Sequence, residues 1–521
     1  MTKKYPYLLF FITLLLILFF LKIDYRYKAD WTCCSDEFDY YAHIKTIIDD
    51  RDLDYTNQFG EFRDVRNNIN NKPTPIGFVG TSILSLPFYF LGKISNIFFD
   101  NKSNLLNNYE IALTSLSSTF YLFLTFLLFI QISNLINKKN HTEILLLLFG
   151  SGVTYYAFER YLMPHVFEIF TITLVFYVSL KFINTEEKRF LIILPYAMLL
   201  ALLVRWTNYH VLLIPTIVKF LFFEDKKLKN YKRLLLLNSI FSIMLFFIIN
   251  KMIYGIYTIN PLKIYSSNSS KVEIFLSTVI LDPFNSIMQT LNSFFLILFG
   301  PEFGIFWFSP ILFVGILRIF FVKGKKTLIS LIMICYIYQF SIVIMWGTAA
   351  SSYGLRYLFS LIPLSYVLFL YPGRIPLEKP YIYIFSIFAF CSTLFFETTE
   401  GTQLSIVNKY NSFGNLTKYT QPDYLYGFFE ALIQIDAWII IFATSLLFSI
   451  FLKFLFLFVN PTLLISQFAN FGLPVENTDF QNLIVNIQNT PLSIYIIYIL
   501  FSSMLVLVYL KYFHIYKEKN Y

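Results

Sequence analysis

Apolar segments recur along almost the whole chain, separated by short polar stretches. Most are about 17 to 25 residues long, which is the length that an α-helix needs to cross the hydrocarbon core of a bilayer. Only 14% of the 521 residues are charged, against roughly 25% in a soluble domain. No series of alternating segments of about 10 residues, typical of a membrane β-barrel, is visible. The sequence therefore predicts an all-α, polytopic membrane protein.

The positive charges are grouped in short clusters between the apolar segments. The formal net charge is +9, and basic clusters occupy residues 137–140, 224–233 and 323–326. Short loops that stay in the cytoplasm carry such clusters under the positive-inside rule. We therefore interpret the positive charge as a topology signal of a multi-pass protein of the cytoplasmic membrane, and we expect no nucleic-acid partner.

Residues 1–23 are predicted to form the first transmembrane helix, with its N-terminus in the cytoplasm. Lys3 and Lys4 precede the apolar run, and no small-residue cleavage site follows it. Residues 24–109 then form a long extracytoplasmic loop. Within it, segment 76–91 is apolar but interrupted by proline and glycine. A full crossing here would move the next basic cluster outside, so we predict an interfacial or re-entrant helix.

Residues 110–396 are predicted to form the transmembrane core, and residues 397–521 a C-terminal loop and helices whose topology the sequence leaves open. We expect about 11 to 13 spans in all, including the first helix and 110–136, 143–158, 166–183, 189–204, 207–223, 233–257, 303–322, 327–345, 354–371, 381–396, 431–458 and 491–511. A count of 13 puts the basic C-terminal tail outside, so one C-terminal segment is misassigned in that count.

Three carboxylates stand together just after the first predicted helix: Asp36, Glu37 and Asp39, in "SDEFDYYAH". A carboxylate there can act as a general base that accepts a proton from an attacking hydroxyl. The alternative is a solvated loop that caps a helix over about 37–49, because Ser35 and Asp36 are good N-cap residues and the segment has helical apolar spacing. Spacing alone favours the capped helix.

His43 follows Asp39 by four residues, so both side chains can share one helix face. An Asp–His pair can bind a metal, but a further His or Cys ligand is missing nearby. A divalent metal is therefore not supported by the sequence.

Arg205 and Arg356 each lie next to an apolar segment at its predicted outer end. Charge in this position is costly and usually functional, and the guanidinium fork suits a phosphate or pyrophosphate. The alternative is snorkelling to lipid headgroups. The positive-inside rule gives no reason for a basic group on the outer side, so we favour phosphate binding.

Two further groups lie on the same predicted side. Arg160 and His165, flanked by Glu159 and Glu168, fit a binding site and a structural ion-pair network equally well. Glu302 lies beside a proline in a broken segment of the kind that lines cavities.

Taken in order, these features resemble the GT-C membrane glycosyltransferases, which include protein O-mannosyltransferases and the aminoarabinose transferase of lipid A. An N-in helix leads into an outer loop with the acidic pair Asp36–Glu37, followed by "KPTPIGFVGTSILSLPFYFLGK". The closest resemblance is to bacterial GT-C-like proteins, through "DEFDYY", "DDRDLDYTNQF", "GIFWFSP" and "WGTAASSYGLRY". The chain departs from their pattern at Thr348 and at Asp50–Arg51. No large C-terminal soluble domain is visible, so we do not expect protein N-glycosylation.

The resemblance implies a GT-C-type fold and the inverting transfer of a sugar from a polyprenyl-phosphate donor to an acceptor on the outer face. The acceptor would be a glycolipid, a glycan or a protein, and no cofactor beyond the lipid-linked donor is implied. Asp36 would be the general base, and Glu37 would position the sugar or tune Asp36. The expected substrate-binding residues are Asp39, Tyr41, His43, Arg160, His165, Arg205, Glu302, Tyr353 and Arg356.

Two alternatives remain open at this point. A ligase or polymerase that moves a whole lipid-linked glycan would share the leaving-group chemistry. A transporter or flippase of an anionic lipid-linked substrate belongs to another class, but such proteins usually show internal repeats and charges in mid-span, and neither is evident here.

Overall fold

A computed structural model describes residues 6–21, 23, 35–59, 73–99, 109–136, 141–158, 160–223, 231–257, 283–300, 304–322, 326–346, 353–371, 378–400, 438, 441–442, 445–470 and 478–518. Within these ranges the chain forms helices and no β-strand, as predicted.

The helices follow one another along the chain. The first eleven are α1 Pro6–Phe20, α2 Ser35–Lys45, α3 Thr56–Phe59, α4 Val79–Phe99, α5 Tyr109–Leu135, α6 His141–Phe149, α7 Val153–Phe158, α8 Pro164–Thr185, α9 Lys188–Val204, α10 Ile214–Phe222 and α11 Tyr231–Tyr254. The others are α12 Pro283–Phe299, α13 Ile305–Phe308, α14 Pro310–Ile319, α15 Lys326–Trp346, α16 Ile362–Leu370, α17 Glu378–Glu400, α18 Leu446–Leu455, α19 Pro461–Asn470, α20 Thr478–Asn489 and α21 Leu492–Glu518. A π-helical turn, Thr46–Asp50, follows α2, and two 3₁₀ segments, Trp206–Leu213 and Tyr353–Leu361, precede α10 and α16.

Six described helices are long and apolar enough to cross a membrane: Val79–Phe99, Tyr109–Leu135, Pro164–Thr185, Tyr231–Tyr254, Lys326–Ile344 and Leu492–Lys511. Shorter apolar helices accompany them, at Phe10–Phe20, Phe284–Phe299, Pro310–Ile319, Leu355–Leu370 and Leu446–Leu455. The protein is thus an all-helical, multi-pass membrane protein.

Four predicted spans are each built from two shorter helical pieces, a division that the sequence analysis did not predict. Segments 143–158, 207–223, 303–322 and 354–371 break between α6 and α7, before α10, before α14 and before α16. In the last three, a proline stands in the first turn of the second piece: Pro215, Pro310 or Pro363. Proline lacks the N–H that a continuing helix needs but suits the first turn of a new one.

Helix α4 is continuous through Gly80, Pro87 and Gly92, the glycines and proline that interrupt its apolar sequence. The two glycines serve close packing. A Cβ on Gly80 would lie 2.4 Å from the carbonyl carbon of Leu203 in α9, and one on Gly92 would lie 2.4 Å from the Cα of Glu110 in α5. That segment 76–91 lies in the interface stays a prediction, since α4 is long enough to cross.

Helix α8 occupies the centre of the bundle. Of its apolar window 83% is buried, against 28% for α4 and 22% for α11. It packs against α5, α9, α10 and the second 3₁₀ segment, while α2 lies on α4. The N-terminal turn of α8 is therefore where these elements come together.

Long-range contacts close the bundle at two other places. Helix α1 packs against α18 and α21, and the peptide N–H of Leu446 donates to the carbonyl of Leu21 at 3.0 Å. The buried Arg318 of α14 donates from Nε to Glu378 Oε1 of α17 at 2.7 Å and from Nη1 to the carbonyl of Tyr371 at 3.1 Å.

Candidate functional site

The acidic segment forms helix α2, Ser35–Lys45, so the predicted helix over 37–49 exists and continues as the π-helical turn. The solvated loop of that interpretation does not apply to the described acids: Glu37 is 0% exposed and Asp39 is 5% exposed. Asp36 lies in the first turn of α2, and its side chain is outside the described part of the chain. Two buried carboxylates on one short helix require specific partners.

Asp39 holds the chain that leads into α4. Its Oδ2 accepts the backbone N–H groups of Ile76 at 2.8 Å and Gly77 at 3.3 Å. Hydrogen bonds of this kind, from neutral amides to a carboxylate, stabilise the charged form of a buried acid.

His43 fastens the same segment from the next turn of α2. Its Nε2 donates to the carbonyl of Gly77 at 2.8 Å, and its Nδ1 accepts from the hydroxyl of Tyr55 at 2.7 Å. The shared face of Asp39 and His43 predicted from their spacing therefore exists, because both reach Gly77. Burial lowers the pKa of His43 to about 4, against the opposing effect of the Gly77 carbonyl. With both ring nitrogens engaged, His43 offers no atom to a metal.

Tyr41 packs against helix α4. It is 1% exposed, and its ring meets the ring of Tyr89 in α4 edge to face at 5.9 Å. Tyr89 in turn donates to Asp49 Oδ2 at 2.8 Å. These contacts dock the C-terminal half of α2 and the π-helical turn on α4.

Glu37 turns the other way, toward the bundle. Its Oε2 accepts from Nε of Arg160 at 3.1 Å, across 123 positions of sequence. Arg160 lies in a turn just before α8, closed by the bond from the N–H of Met163 to the Arg160 carbonyl. The pair joins α2 to the start of the central helix.

His165 and Glu168 lie in the first two turns of α8 and are almost completely buried. Glu168 Oε2 accepts from Nη1 of Arg205 at 3.3 Å and lies 3.6 Å from His165 Nδ1. Arg205 ends α9 with an extended backbone and is followed at once by the first 3₁₀ segment. The extended backbone between α9 and this 3₁₀ segment is thus what puts Arg205 beside α8.

The ring of Tyr357 lies beside both Arg205 and a third arginine, Arg356. The guanidinium of Arg205 lies 4.9 Å from the centre of its ring and that of Arg356 lies 5.2 Å from it, so the two guanidinium carbons are at most about 10 Å apart, the sum of these distances. Leu355, directly before Arg356, has a φ of 55°, a conformation that costs a leucine about 1–3 kcal/mol and is typical of functional sites.

We call Arg160, Arg205 and Arg356 the arginine cluster. All three lie close enough to His165 for their charges to affect its ring, so they gather at the first turn of α8. The described charges of the site are these three guanidiniums and the carboxylates of Glu37 and Glu168. The N-terminus of α8 adds partial positive charge. This arrangement can bind an anion.

The structure thus brings together five of the expected residues: Glu37, Arg160, His165, Arg205 and Arg356. Asp39, Tyr41 and His43 share α2 with Glu37 but contact α4 and the segment before it. Glu302 and the side chains of Asp36 and Tyr353 lie outside the described residues.

Two members of the site were missed as binding residues. Glu168 was considered only as part of an ion-pair network, although its position three residues after His165 signals a shared helix face. Tyr357 gave no usable signal, because 38 tyrosines make any one of them inconspicuous. In the described ranges no group of three metal-ligating side chains comes together.

No protein-family model and no curated protein sequence matches the chain. Among solved structures, it is similar to the crystal structure of the oligosaccharyltransferase of Archaeoglobus fulgidus in the apo form, with a TM-score of 0.42 and 11% sequence identity. The match covers 81% of this chain and 60% of that enzyme, so the chain spans less than two thirds of the enzyme's length. A likeness this distant carries no argument about substrate or mechanism.

Proposed function

We propose that this protein is a membrane glycosyltransferase that transfers a sugar from a polyprenyl-phosphate donor to an acceptor at the outer face of the membrane. The observation that carries the proposal is the arginine cluster around the first turn of α8, joined to the acidic helix α2 through Arg160 and Glu37. The resemblance of the sequence motifs to GT-C enzymes supports the same reaction class.

The arginine cluster suits the lipid phosphate as leaving group. Three guanidiniums face two described carboxylates, so these five groups sum to one positive charge when both carboxylates are ionised. A polyprenyl-phosphate sugar is a phosphodiester with one negative charge, and the departing phosphate acquires a second. Fixed positive groups therefore stabilise the transition state more than the ground state, which is the requirement for catalysis.

Asp36 is the proposed general base. It precedes Glu37 in the first turn of α2, on the helix that the buried Glu37 fixes to the cluster. In the proposed step the acceptor hydroxyl oxygen bonds to the anomeric carbon, and its proton passes to the Asp36 carboxylate. The bond from the anomeric carbon to the phosphate oxygen breaks, and its electron pair leaves with the polyprenyl phosphate. The configuration of the anomeric carbon inverts.

Glu37 and Glu168 are proposed to hold arginines rather than to move protons. Each accepts from one guanidinium while it is itself 0% exposed. Removal of either carboxylate would free an arginine to change its orientation, so we expect the affinity for the donor to fall together with the turnover number.

The test uses mass spectrometry of the cell-envelope glycolipids and glycoproteins. A deletion strain should lack one sugar on a defined acceptor, and the wild-type gene should restore it. Asp36→Asn should not restore it, because an amide cannot accept the proton. The matched control is Asp52→Asn, since Asp52 is an exposed acid close to α2 and should restore the sugar fully.

Two results would contradict the proposal. Identical envelope glycans in deletion and wild-type strains would remove the transferase function. Full restoration by Asp36→Asn, present at the wild-type level in the membrane, would remove Asp36 as the base.

A further inference from the structure

A set of uncharged polar side chains lies close to the arginine cluster, on the 3₁₀ segments that follow Arg205 and contain Arg356. Its members come from the two 3₁₀ segments and from α15, and all are buried, with exposures of 0% to 4%. We call it the neutral polar cluster: Thr207, Asn208, His210, Gln339 and Ser360.

Hydrogen bonds hold these side chains together. Gln339 Nε2 donates to the carbonyl of Thr207 at 2.8 Å and lies 3.0 Å from Nδ1 of His210. The backbone of Ser360 lies beside the ring of His210, and α15 packs against both 3₁₀ segments. The five residues therefore form one local group, although they span about a third of the chain.

Each member has a buried side-chain atom with no hydrogen-bond partner within the described part of the chain: Thr207 Oγ1, Asn208 Oδ1, His210 Nε2, Gln339 Oε1 and Ser360 Oγ. Proteins leave only a few such atoms in every hundred residues, and each needs an explanation. Five in one place indicate that a polar molecule belongs there.

The chemistry of these atoms defines that molecule. The Thr207 carbonyl only accepts, so it fixes the amide nitrogen of Gln339 on its side. The same nitrogen donates to His210 Nδ1, and His210 is therefore the neutral tautomer with its proton on Nε2. Toward a ligand, the cluster then offers one N–H donor, two amide oxygens and two hydroxyls. This mixture of donors and acceptors, without charge, complements hydroxyl groups.

The position of the cluster relates it to the phosphate. Asn208 follows Arg205 by three residues, and Ser360 follows Arg356 by four. At a rise of about 2.0 Å per residue in a 3₁₀ helix, the polar cluster lies about 6–8 Å from the arginines along each segment. The side chain of Asn208 also lies beside the carboxylate of Glu168, which pairs with Arg205. A group bonded directly to an arginine-bound phosphate falls within this range.

We propose that the neutral polar cluster binds the hydroxyl groups of an uncharged sugar whose phosphate is held by the arginine cluster. This inference rests on the proposed function and adds to it a sugar class: a neutral hexose, rather than a uronic acid or a protonated amino sugar. A charged sugar would place its charge among five neutral groups, where it lacks a counter-ion and loses water.

The experiment compares the binding of farnesyl methyl phosphate, farnesyl-phosphate mannose and farnesyl-phosphate glucuronate to the full chain in lipid nanodiscs. All three are phosphodiesters, so the phosphate carries one negative charge in each. Mannose should raise the affinity about tenfold or more over the methyl ester, as a few hydrogen bonds to uncharged groups would. Glucuronate should give no such gain. Gln339→Leu should abolish the gain from mannose and leave the binding of the methyl ester unchanged.

The control variant is Tyr336→Phe. Tyr336 lies on the same helix α15 and hydrogen-bonds Ser365 at 2.7 Å, so its loss disturbs the same helix without touching the neutral polar cluster. It should keep the full gain. Ser360→Ala removes a single oxygen atom and is the milder variant. It should reduce the gain in affinity from mannose, and it tests the inference if Gln339→Leu does not fold.

The outcomes separate the two proposals. Failure of farnesyl methyl phosphate to bind the wild-type protein would overturn the phosphate site and the proposed function with it. Binding of the methyl ester with no gain from mannose, or an equal gain in Ser360→Ala, would show that the neutral polar cluster holds water only. The inference would then be wrong while the proposed function stands.

Discussion

Acid should release helix α2 from the bundle through a single side chain, His43. In the docked helix the ring is buried and neutral, and burial lowers its pKa from the ordinary 6.5 to about 4. An undocked α2 would bind the proton near pH 6.5, so between pH 6.5 and 4 the undocked state binds more protons. Docking is therefore fully stable above pH 6.5 and weakens as the pH falls toward 4.

The size of the effect follows from these two pKa values. At pH 4.5 the difference corresponds to roughly 50- to 100-fold in the docking equilibrium, or about 2.5 kcal/mol. Hydrogen exchange followed by mass spectrometry measures it directly. Amides of Ser35–Asp50 should lose protection by about this factor between pH 7 and 4.5, after correction for the intrinsic exchange rate. Peptides from α5, which contains no histidine, serve as the reference.

His43→Gln is the matched control for this measurement. Its amide nitrogen can donate to the Gly77 carbonyl and its amide oxygen can accept from Tyr55, as the two ring nitrogens do now, but it does not titrate. The variant keeps Asp39, which bonds the same segment. Equal acid sensitivity of wild type and His43→Gln would therefore refute the role of His43.

Two further predictions concern stability and are measured by thermal unfolding in detergent. Arg205→Ala should destabilise the protein by about 3–5 kcal/mol, because it leaves the carboxylate of Glu168 buried without its counter-charge. The double variant Arg205→Ala/Glu168→Ala should recover much of the lost stability, and no recovery would contradict the pairing. Gly80→Ala should cost about 1–3 kcal/mol, because its Cβ would meet the backbone of Leu203 and force α4 away from α9; Ile97→Ala, at an exposed position of the same helix, is the control and should have a smaller effect.

The sequence sufficed for what depends on composition and local spacing. The membrane environment followed from apolar length, and helix α2 followed from the Ser35 cap and the spacing of its apolar residues. The shared face of Asp39 and His43 was likewise a local matter of four residues. These features need no knowledge of the rest of the chain, because helix geometry alone determines them.

The features of the fold that were not predicted lie where one residue type has two structural uses. Pro215 and Pro363 start new helices inside predicted spans, whereas Pro87 lies within α4 without ending it. Gly80 and Gly92 read as breaks from sequence, yet they permit close contact with neighbouring helices. Only the packing partner distinguishes these uses, and the partner is distant in sequence.

The candidate site shows the same limit. Arg205 and Arg356 were singled out because charge beside an apolar segment is unusual. The contacts within the site were not predictable from sequence. Glu37 pairs with Arg160 across 123 residues. Tyr357 contacts Arg205 and Arg356, which lie 151 positions apart, and these residues belong to or adjoin the two 3₁₀ segments. The neutral polar cluster could not be seen at all, since threonine, asparagine and glutamine are unremarkable until they are found buried together.

The contact of α1 with α18 and α21 has a consequence for biosynthesis. Ribosomes add about 5–20 residues per second, so about 25 to 95 s separate the synthesis of α1 from that of α21. During this interval α1 lacks the contacts that it makes with these two helices, and the carbonyl of Leu21 has not yet met the N–H of Leu446. One of the first helices to be synthesised therefore reaches its final packing only after the last one has been made.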